Sequence, residues 1–295
     1  MDNCIELRCR RAASTCQLRA SSSILHLVVN TGNVLNVNKK AGQKPSEELV
    51  DCLKATLATP AIEAAAKGAP SSANVTRSGD DLREKVAEHE RASVKIGAKL
   101  FLNTNSTENL KNAIDTLLSV LGVEYLDNLI LAYHPEGRTT NGTAVNGNSG
   151  EDDDTKEGVM DWSGGHSDAI QDLKALWKEM EEYAKSKKIC QLGIADLDVN
   201  SLKELYNGAE FHPSIAQINI STCCVVPPPL QEFCQQNDIQ LLTHSDPEEI
   251  LSKETLKTDL DVENFAPKWT IRFQVHVKCR GVLAAKGYVI GASRE

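Results

Sequence analysis

The sequence lacks a long apolar run. None of its 295 residues falls in the stretch of about 20 apolar residues that a helix needs to cross a bilayer. The opening segment, MDNCIELRCRRAASTCQLRASSS, also lacks the apolar core of a secretory signal. We therefore expect an intracellular, cytoplasmic protein with no membrane partner.

The sequence also lacks an excess of positive charge. Its formal net charge is -9 at pH 7. Binding to nucleic acid or to an anionic membrane surface requires a basic face, because affinity comes from neutralising phosphates or lipid headgroups. Nucleic acid is therefore not an expected partner.

Three metal and nucleotide motifs are absent. Neither CxxC nor HExxH occurs, so no zinc site is predicted, and no GxGxxG turn marks a doubly wound dinucleotide fold. The nine cysteines are odd in number and irregularly spaced. In a reducing compartment such cysteines act mostly as small buried apolar residues, and Cys190, Cys234 and Cys279 are predicted to pack in this way.

Two polar segments flank or interrupt the predicted domain, which spans residues 24–295. Residues 1–23 are predicted to be a disordered tail; four arginines leave a mitochondrial transit peptide as the alternative. Residues 136–167 are rich in Asn, Gly and Asp and are predicted to be a mobile acidic insertion. An acidic docking peptide is the alternative interpretation.

The rest of the chain alternates short apolar runs with amphipathic helical patterns. This alternation is typical of βα units on a parallel sheet. The predicted strands are Ile24–Asn30, Val94–Asn103, Leu126–Tyr133, Leu192–Ala195, Ile215–Ile220, Ile239–Thr243 and Val282–Ile290. Ser106 and Gly122 bound the predicted helix that carries a leucine repeat.

Three further local predictions are made. Residues 59–93 show a faint second strand or none, and a helix around Asp80–Arg91. Asp246 is interpreted as a helix cap, because proline and two glutamates follow it. A helix is also predicted around Trp269–Lys278.

Several blocks resemble the aldo-keto reductase superfamily. They are KLFLNTNSTENLKNAIDTLLSVLGVEYLDNLILAYHP, LGIADLDVNSLKELY, AQIN, LQEFCQQNDIQLLTHS and IRFQVHVKCRG, within residues 94–287. The resemblance implies an α/β fold: a (β/α)8 TIM barrel of aldo-keto reductase type. In this chain the second-strand region is degenerate and the C-terminal part is truncated relative to the family pattern.

The family's catalytic residues are incompletely matched. Lys99 lies where the family has a lysine that tunes a tyrosine proton donor, but residues 59–93, where that tyrosine should lie, contain none. The family's histidine should lie near the end of the next strand, but counting forward from Asp127 gives Ala132 and counting back from Pro135 gives Tyr133, so His134 matches neither position. The resemblance therefore implies a vestigial Lys99 and no catalytic residue.

The nicotinamide cofactor site is matched only in part as well. Gln217 and Lys286 match the family's amide-binding glutamine and phosphate-binding lysine. However, Ala195-Asp196 replaces the family's Ser-Asn, His244 replaces its stacking tyrosine, and only nine residues follow Lys286. No cofactor is expected, and Gln217 and Lys286 are interpreted as vestigial.

Other blocks resemble the regulatory (modifier) subunits of glutamate-cysteine ligase. They are LHLVVNTGNVLN, SEELVDCLKATL, ISTCCVVPPPL, IQLLTHSDPEEIL and VKCRGVLAAKGYVI. This resemblance implies a non-catalytic protein whose partner is the ligase's catalytic subunit, and which improves glutamate use and relieves glutathione inhibition. The alternative is an NADPH-dependent carbonyl reductase.

Three cysteines are candidates for a partner contact or an intersubunit disulfide. Cys223 and Cys224 follow a predicted strand, at the barrel end where functional sites gather. Either they form a redox-sensitive contact or they are strand-end residues without chemistry. Cys52, the third candidate, lies on the apolar side of the first predicted helix and is expected to be in the core.

Overall fold

The structure is a computed structural model, and it describes residues 25–37, 40, 42–57, 72–77, 82–134, 167–220, 225–260, 262 and 264–295. The predicted tail at 1–23 and the candidates Cys223 and Cys224 lie outside the described residues. So does the predicted insertion, apart from the residue at which a helix begins. None of the described helices is long and apolar enough to span a membrane.

Strands and helices alternate along most of the described chain. The strands are β1 (His26–Asn30), β2 (Ser72–Thr76), β3 (Val94–Leu102), β4 (Asn128–Tyr133), β5 (Leu192–Ala195), β6 (Ile215–Asn219), β7 (Gln240–His244), β8 (Phe265–Val277) and β9 (Val282–Arg294). The helices are α1 (Pro45–Leu57), α2 (Leu82–Ala87), α3 (Thr107–Leu121), α4 (Ser167–Lys185), α5 (Val199–Gly208), α6 (Pro228–Gln236) and α7 (Lys253–Thr258). Short 3-10 turns occur at Val34–Asn36 and Arg91–Ser93.

The strands form one sheet in the order β2-β1-β9-β8-β3-β4-β5-β6-β7. Strands β3 to β7 are parallel neighbours in sequence order, as βα units require. The β8–β9 hairpin lies between β1 and β3 and is antiparallel to both. Strands β2 and β7 therefore form the two edges of the described sheet.

A separate hydrophobic core packs against each face of the sheet. On one face, the apolar residues of β3 to β6 pack against α2 through α6. On the other face, a smaller core joins Leu27, Tyr288 and Ile290 to α1 and α7. Side chains alternate between the two faces along each strand. In β3 and β8, the residues that alternate with those of the larger core therefore point toward the face that carries the smaller core.

Helix α3 illustrates how local sequence sets the elements. The Ser106 side chain accepts a hydrogen bond from the Asn109 N–H, and Gly122 ends the helix with φ 64°. A residue with a side chain is strained at that φ, which is why glycine stands there. Six apolar residues spaced by three and four are buried, so this predicted helix is confirmed.

Two local predictions were wrong. The segment predicted as a helix around Trp269–Lys278 is strand β8, in which every second side chain faces the large core. Asp246 does not cap a helix, because bends follow it and α7 begins at Lys253 with Ser252 as its cap. In the region predicted to have a faint second strand or none, the structure shows the five-residue strand β2, whose Ala73 and Val75 are buried.

Candidate functional site

Polar and charged residues meet on one side of the sheet, where neighbouring parallel strands end. His134 follows β4, Asp196 follows β5, and Asn219 and His244 are the last residues of β6 and β7. Asp246 lies two residues beyond β7. The carboxyl ends of parallel strands share one edge of a sheet, and this is where barrel proteins place their functional sites.

Asp246 is the centre of a buried ion-pair cluster. Lys99 Nζ donates to Asp246 Oδ2 at 3.0 Å. Arg272 donates from Nη1 to Oδ1 at 2.5 Å and from Nη2 to Oδ2 at 2.8 Å. The side chains of Lys99 and Asp246 are only 4% and 2% exposed. Lys99 and Arg272 are register partners on β3 and β8, so both cations point to the same face.

The pKa directions identify the stronger partner of Asp246. Burial would raise the pKa of Asp246, but the hydrogen bonds and charge of Arg272, and then those of Lys99, hold it below its ordinary value. Burial lowers the pKa of Lys99, with Asp246 and Asp196 acting in the opposite direction. Arg272 makes two of the three hydrogen bonds from these cations to Asp246 and Lys99 makes one, so Arg272 is the main counterion.

A second buried carboxylate, Asp196, lies beside this cluster. His244 Nε2 is 2.9 Å from Asp196 Oδ1, and His134 Nε2 is 3.4 Å from Oδ2. The Asn219 N–H also donates to Oδ1, at 2.9 Å. Burial would raise the pKa of Asp196, but the bonds from His134 and His244 and the charge of Lys99 bring it well below its ordinary value.

The hydrogen bonds of His244 assign its tautomer. The Asp246 backbone N–H donates to His244 Nδ1 at 3.1 Å, so Nδ1 must be the unprotonated nitrogen. Its proton is then on Nε2, which faces Asp196. His244 therefore bridges the carboxylate of Asp196 and the backbone N–H of Asp246.

Glu48 of α1 forms a second polar group on the same face. The Tyr288 hydroxyl donates to Glu48 Oε2 at 2.7 Å, and Lys286 Nζ contacts the same oxygen. Burial, followed by the bond to Glu48, raises the pKa of Tyr288 well above its ordinary value. Arg272 is the register partner of Tyr288 across the hairpin and also interacts with its hydroxyl. Arg272 therefore links the two groups.

A cavity of about 400 Å³ opens beside the cluster. Its walls include Phe101, Ala132, His134, Lys253 and Lys268. His134, which contacts Asp196, lines the cavity, whereas Lys99, Arg272 and Asp246 do not. A molecule in this cavity could contact the imidazole of His134 but not the buried ammonium of Lys99.

The residues at this site do not fit a nicotinamide cofactor. The carbonyl oxygen of Gln217 is buried without a hydrogen-bond partner among the described residues, which would suit a carboxamide donor. However, Lys286, which would hold a phosphate, is paired with Glu48, with both side chains largely buried. The Asp196 carboxylate also adds negative charge where the family has a neutral asparagine.

The structure describes four of the cysteines. Cys52 is 1% exposed, and burial raises the pKa of its thiol to about 11. Cys234 is buried too, as predicted, but Cys190 and Cys279 are exposed, so the prediction that these two pack in the core was wrong. Cys190 follows an isolated β-bridge, and Cys279 lies in the turn of the β8–β9 hairpin. The apolar pattern of the sequence does not separate such exposed positions from buried strand positions.

The structure also adds residues that sequence reasoning missed. It brings Lys99 together with Asp246, Arg272, Asp196 and His244, whereas Lys286 lies in the Glu48 group. Asp246 had been assigned to a cap, and Arg272 to a helix. A lysine at the centre of a buried strand could have signalled an acidic partner, since a lone buried charge is costly. Among the described residues no group of side chains could hold a metal ion.

Comparisons with known proteins identify the family of the chain. Residues 73–277 match the family model for the "Aldo/keto reductase family". The chain belongs to this family, whose fold is an α/β barrel. Aldose reductase B of Dictyostelium discoideum is 27% identical over 67% of this chain and 62% of its own length. An aldo-keto reductase structure from the silkworm, Bombyx mori, matches with a TM-score of 0.39 at 16% identity, over 56% of this chain and 44% of its own.

A narrower group within the family is matched along almost the whole chain. The "Glutamate--cysteine ligase regulatory subunit" of Rattus norvegicus is 36% identical over 97% of both chains, and the Homo sapiens protein of that name is 35% identical over the same share. These regulatory subunits match the chain at higher identity, and over a larger share of its length, than aldose reductase B does.

Proposed function

We propose that this protein is a non-catalytic subunit that binds the catalytic subunit of glutamate-cysteine ligase, improves its use of glutamate and relieves its inhibition by glutathione. The names of the relatives support a regulatory role. The site supports the absence of reductase chemistry, since its charged residues bind one another.

The ion pairing of Lys99 is the observation that carries the proposal. A reductase lysine acts by tuning a tyrosine that protonates the substrate carbonyl. Here the hydrogen bond of Lys99 goes to Asp246, and the hydroxyl of Tyr288 donates to Glu48. The proton of the Tyr288 hydroxyl is therefore directed at Glu48 rather than at a carbonyl, and Lys99 does not line the cavity beside it.

A regulatory subunit acts by binding one state of its partner more tightly than another. A ligand shifts an equilibrium only by its differential affinity for the two states. A difference of about 1–3 kcal/mol changes the affinity at the coupled site by about 5–150-fold. No reacting group on this chain is needed for such an effect.

Mixing the purified chain with the catalytic subunit tests the proposal. The apparent KM for glutamate is expected to fall and the glutathione concentration for half-inhibition to rise, with both effects saturating at a one-to-one ratio. An active aldo-keto reductase at the same concentration is the control. If neither kinetic parameter moves at saturating chain, the proposal is wrong.

A second candidate is an NADPH-dependent carbonyl reductase. The unpartnered carbonyl oxygen of Gln217 favours it, because a carboxamide could bind there. Titration monitored by NADPH fluorescence separates the two functions. We expect no change at high micromolar cofactor; saturable binding that Lys286→Ala abolishes would favour the reductase.

A further inference from the structure

The cavity beside the ion-pair cluster is apolar at its closed end and charged at its open end. Its buried walls are apolar and come from Phe101, Leu102, Ala132, Ala266 and Pro267. Two lysines that also line it, Lys253 and Lys268, have side chains that are 57% and 25% exposed. The closed end therefore suits an apolar group, and the open end suits a charged one.

A carboxylate of the chain itself lies between these two lysines. Lys253 Nζ donates to Glu295 Oε2, and Lys268 Nζ is 3.7 Å from Glu295 Oε1. The hydrogen bond and charge of Lys253, and then the charge of Lys268, lower the pKa of Glu295. Two ammonium groups and one carboxylate leave one unit of positive charge. The lysine pair is therefore a subsite that accepts a single carboxylate.

The side chain of Glu295 is held in a way that allows its replacement. It is 46% exposed, and exposed ion pairs are weak because water screens them. The backbone of Glu295 is held separately, since its N–H donates to Asn264 O at 3.1 Å. The carboxylate can therefore leave the two lysines without breaking the main-chain bond.

The remaining charges on the cavity wall narrow the class of ligand. Glu248 and Glu249 line the cavity and are exposed, so a doubly charged anion such as phosphate would be repelled. An uncharged apolar molecule would gain nothing from Lys253 and Lys268. The ligand that fits both ends of the cavity is then an apolar molecule with one carboxylate.

We infer that this cavity binds a small organic monocarboxylate, whose apolar part contacts Phe101 and Pro267 and whose carboxylate replaces that of Glu295 between Lys253 and Lys268. This site is independent of the proposed function, because no partner chain takes part in it. Glu295 competes with the ligand. The apparent affinity is therefore the intrinsic affinity reduced by the fraction of chains in which the Glu295 carboxylate has left the lysines.

Titration of the full chain with benzoate, followed by amide NMR, tests the inference. Benzoate should bind with a Kd of about 10 mM or tighter, the range for so small a ligand, and should shift the amide signals of Asn103 and Lys268. Benzamide has the same shape without the charge and should bind about threefold more weakly, or weaker still. The inference is overturned if benzoate shifts neither amide, or if benzamide binds as tightly as benzoate.

Two variants should change the affinity for benzoate in opposite directions. Glu295→Gln removes the competing carboxylate and should tighten binding about two- to fivefold. Lys268→Met removes one ammonium group, keeps an unbranched apolar stem, and should weaken binding by about the same factor. Lys85→Met, which removes a lysine from the exposed pair with Glu88, is the control and should leave the affinity unchanged.

Circular dichroism establishes that each variant is folded before its affinity is compared. Unchanged or weaker binding by a folded Glu295→Gln would contradict the competition between Glu295 and the ligand, and native affinity in a folded Lys268→Met would contradict the lysine subsite. Either result overturns the inference.

Discussion

Replacing Asp246 by asparagine removes the charge at the centre of the ion-pair cluster while preserving the shape of the side chain. Asp246 is 2% exposed and accepts three hydrogen bonds from Lys99 and Arg272. The substitution leaves two cations in the interior without their shared counterion. Removing one partner of a buried ion pair costs about 3–5 kcal/mol, which corresponds to a fall in Tm of about 6–20 °C for a domain of this size.

Two further variants serve as comparisons for the loss of stability in Asp246→Asn. Lys99→Met removes one cation but leaves Asp246 bonded to Arg272, so its loss of stability should be smaller. Glu88→Gln makes the same chemical change in the exposed pair of Lys85 and Glu88, whose side chains are 41% and 54% exposed. An exposed pair contributes about 0–1 kcal/mol, so the free energy of unfolding of this control should be close to that of the native chain.

Urea unfolding followed by circular dichroism and tryptophan fluorescence measures all three variants. Both Trp177 and Trp269 are buried, so their emission reports on the large core. A loss of less than about 1 kcal/mol for Asp246→Asn would contradict a buried ion-pair cluster, since an exposed pair would explain that value. A larger loss for Lys99→Met than for Asp246→Asn would contradict the central position of Asp246 in the cluster.

Three more predictions follow from the same structure. Because the folded pKa of Asp246 lies below its ordinary 3.8, its stabilisation is present above about pH 4 and is lost as the pH falls through the folded pKa. The free energy of unfolding should therefore fall less steeply between about pH 5 and pH 2 for Asp246→Asn than for the native chain, and equal slopes would contradict the assignment. Alkylation at pH 8 should label Cys190 quickly and Cys52 only on unfolding, since Cys52 is buried with a pKa raised to about 11; mass spectrometry of the peptides checks this. Gly291→Ala should lower stability by about 1–3 kcal/mol or more, because its Cβ would lie 2.2 Å from the ring of Trp269; an unchanged urea midpoint would contradict this packing.

Local patterns predicted the part of the fold that local forces specify. Strands β3 to β7 and helix α3 were recognised because their apolar spacing, caps and turns lie within a few residues of one another. The alternation of Trp269 to Val277 was equally visible in the sequence, with an apolar residue at every second position. That segment was interpreted as a helix, so the error lay in choosing the wrong period rather than in a missing signal.

The candidate site could be predicted only in part, because its contacts join distant residues. Asp246 is separated from Lys99 by 147 positions and from Arg272 by 26. A local signal, the proline and glutamates after Asp246, favoured a helix cap, and tertiary ion pairing overrode it. The resemblance located Lys99, but nothing near Lys99 in the sequence identifies its partner.

The position of the β8–β9 hairpin has a consequence for synthesis of the chain. Strand β1 pairs with β9, and β3 pairs with β8, so residues 265–294 connect the amino-terminal strands to the parallel set. Chains emerge from the ribosome amino end first, and β3 to β7 can pair with one another as they appear. Until the hairpin is made, β1 and β3 each present an open edge that could pair with another nascent chain. Premature termination anywhere before β8 would therefore yield an aggregation-prone product rather than a smaller stable protein.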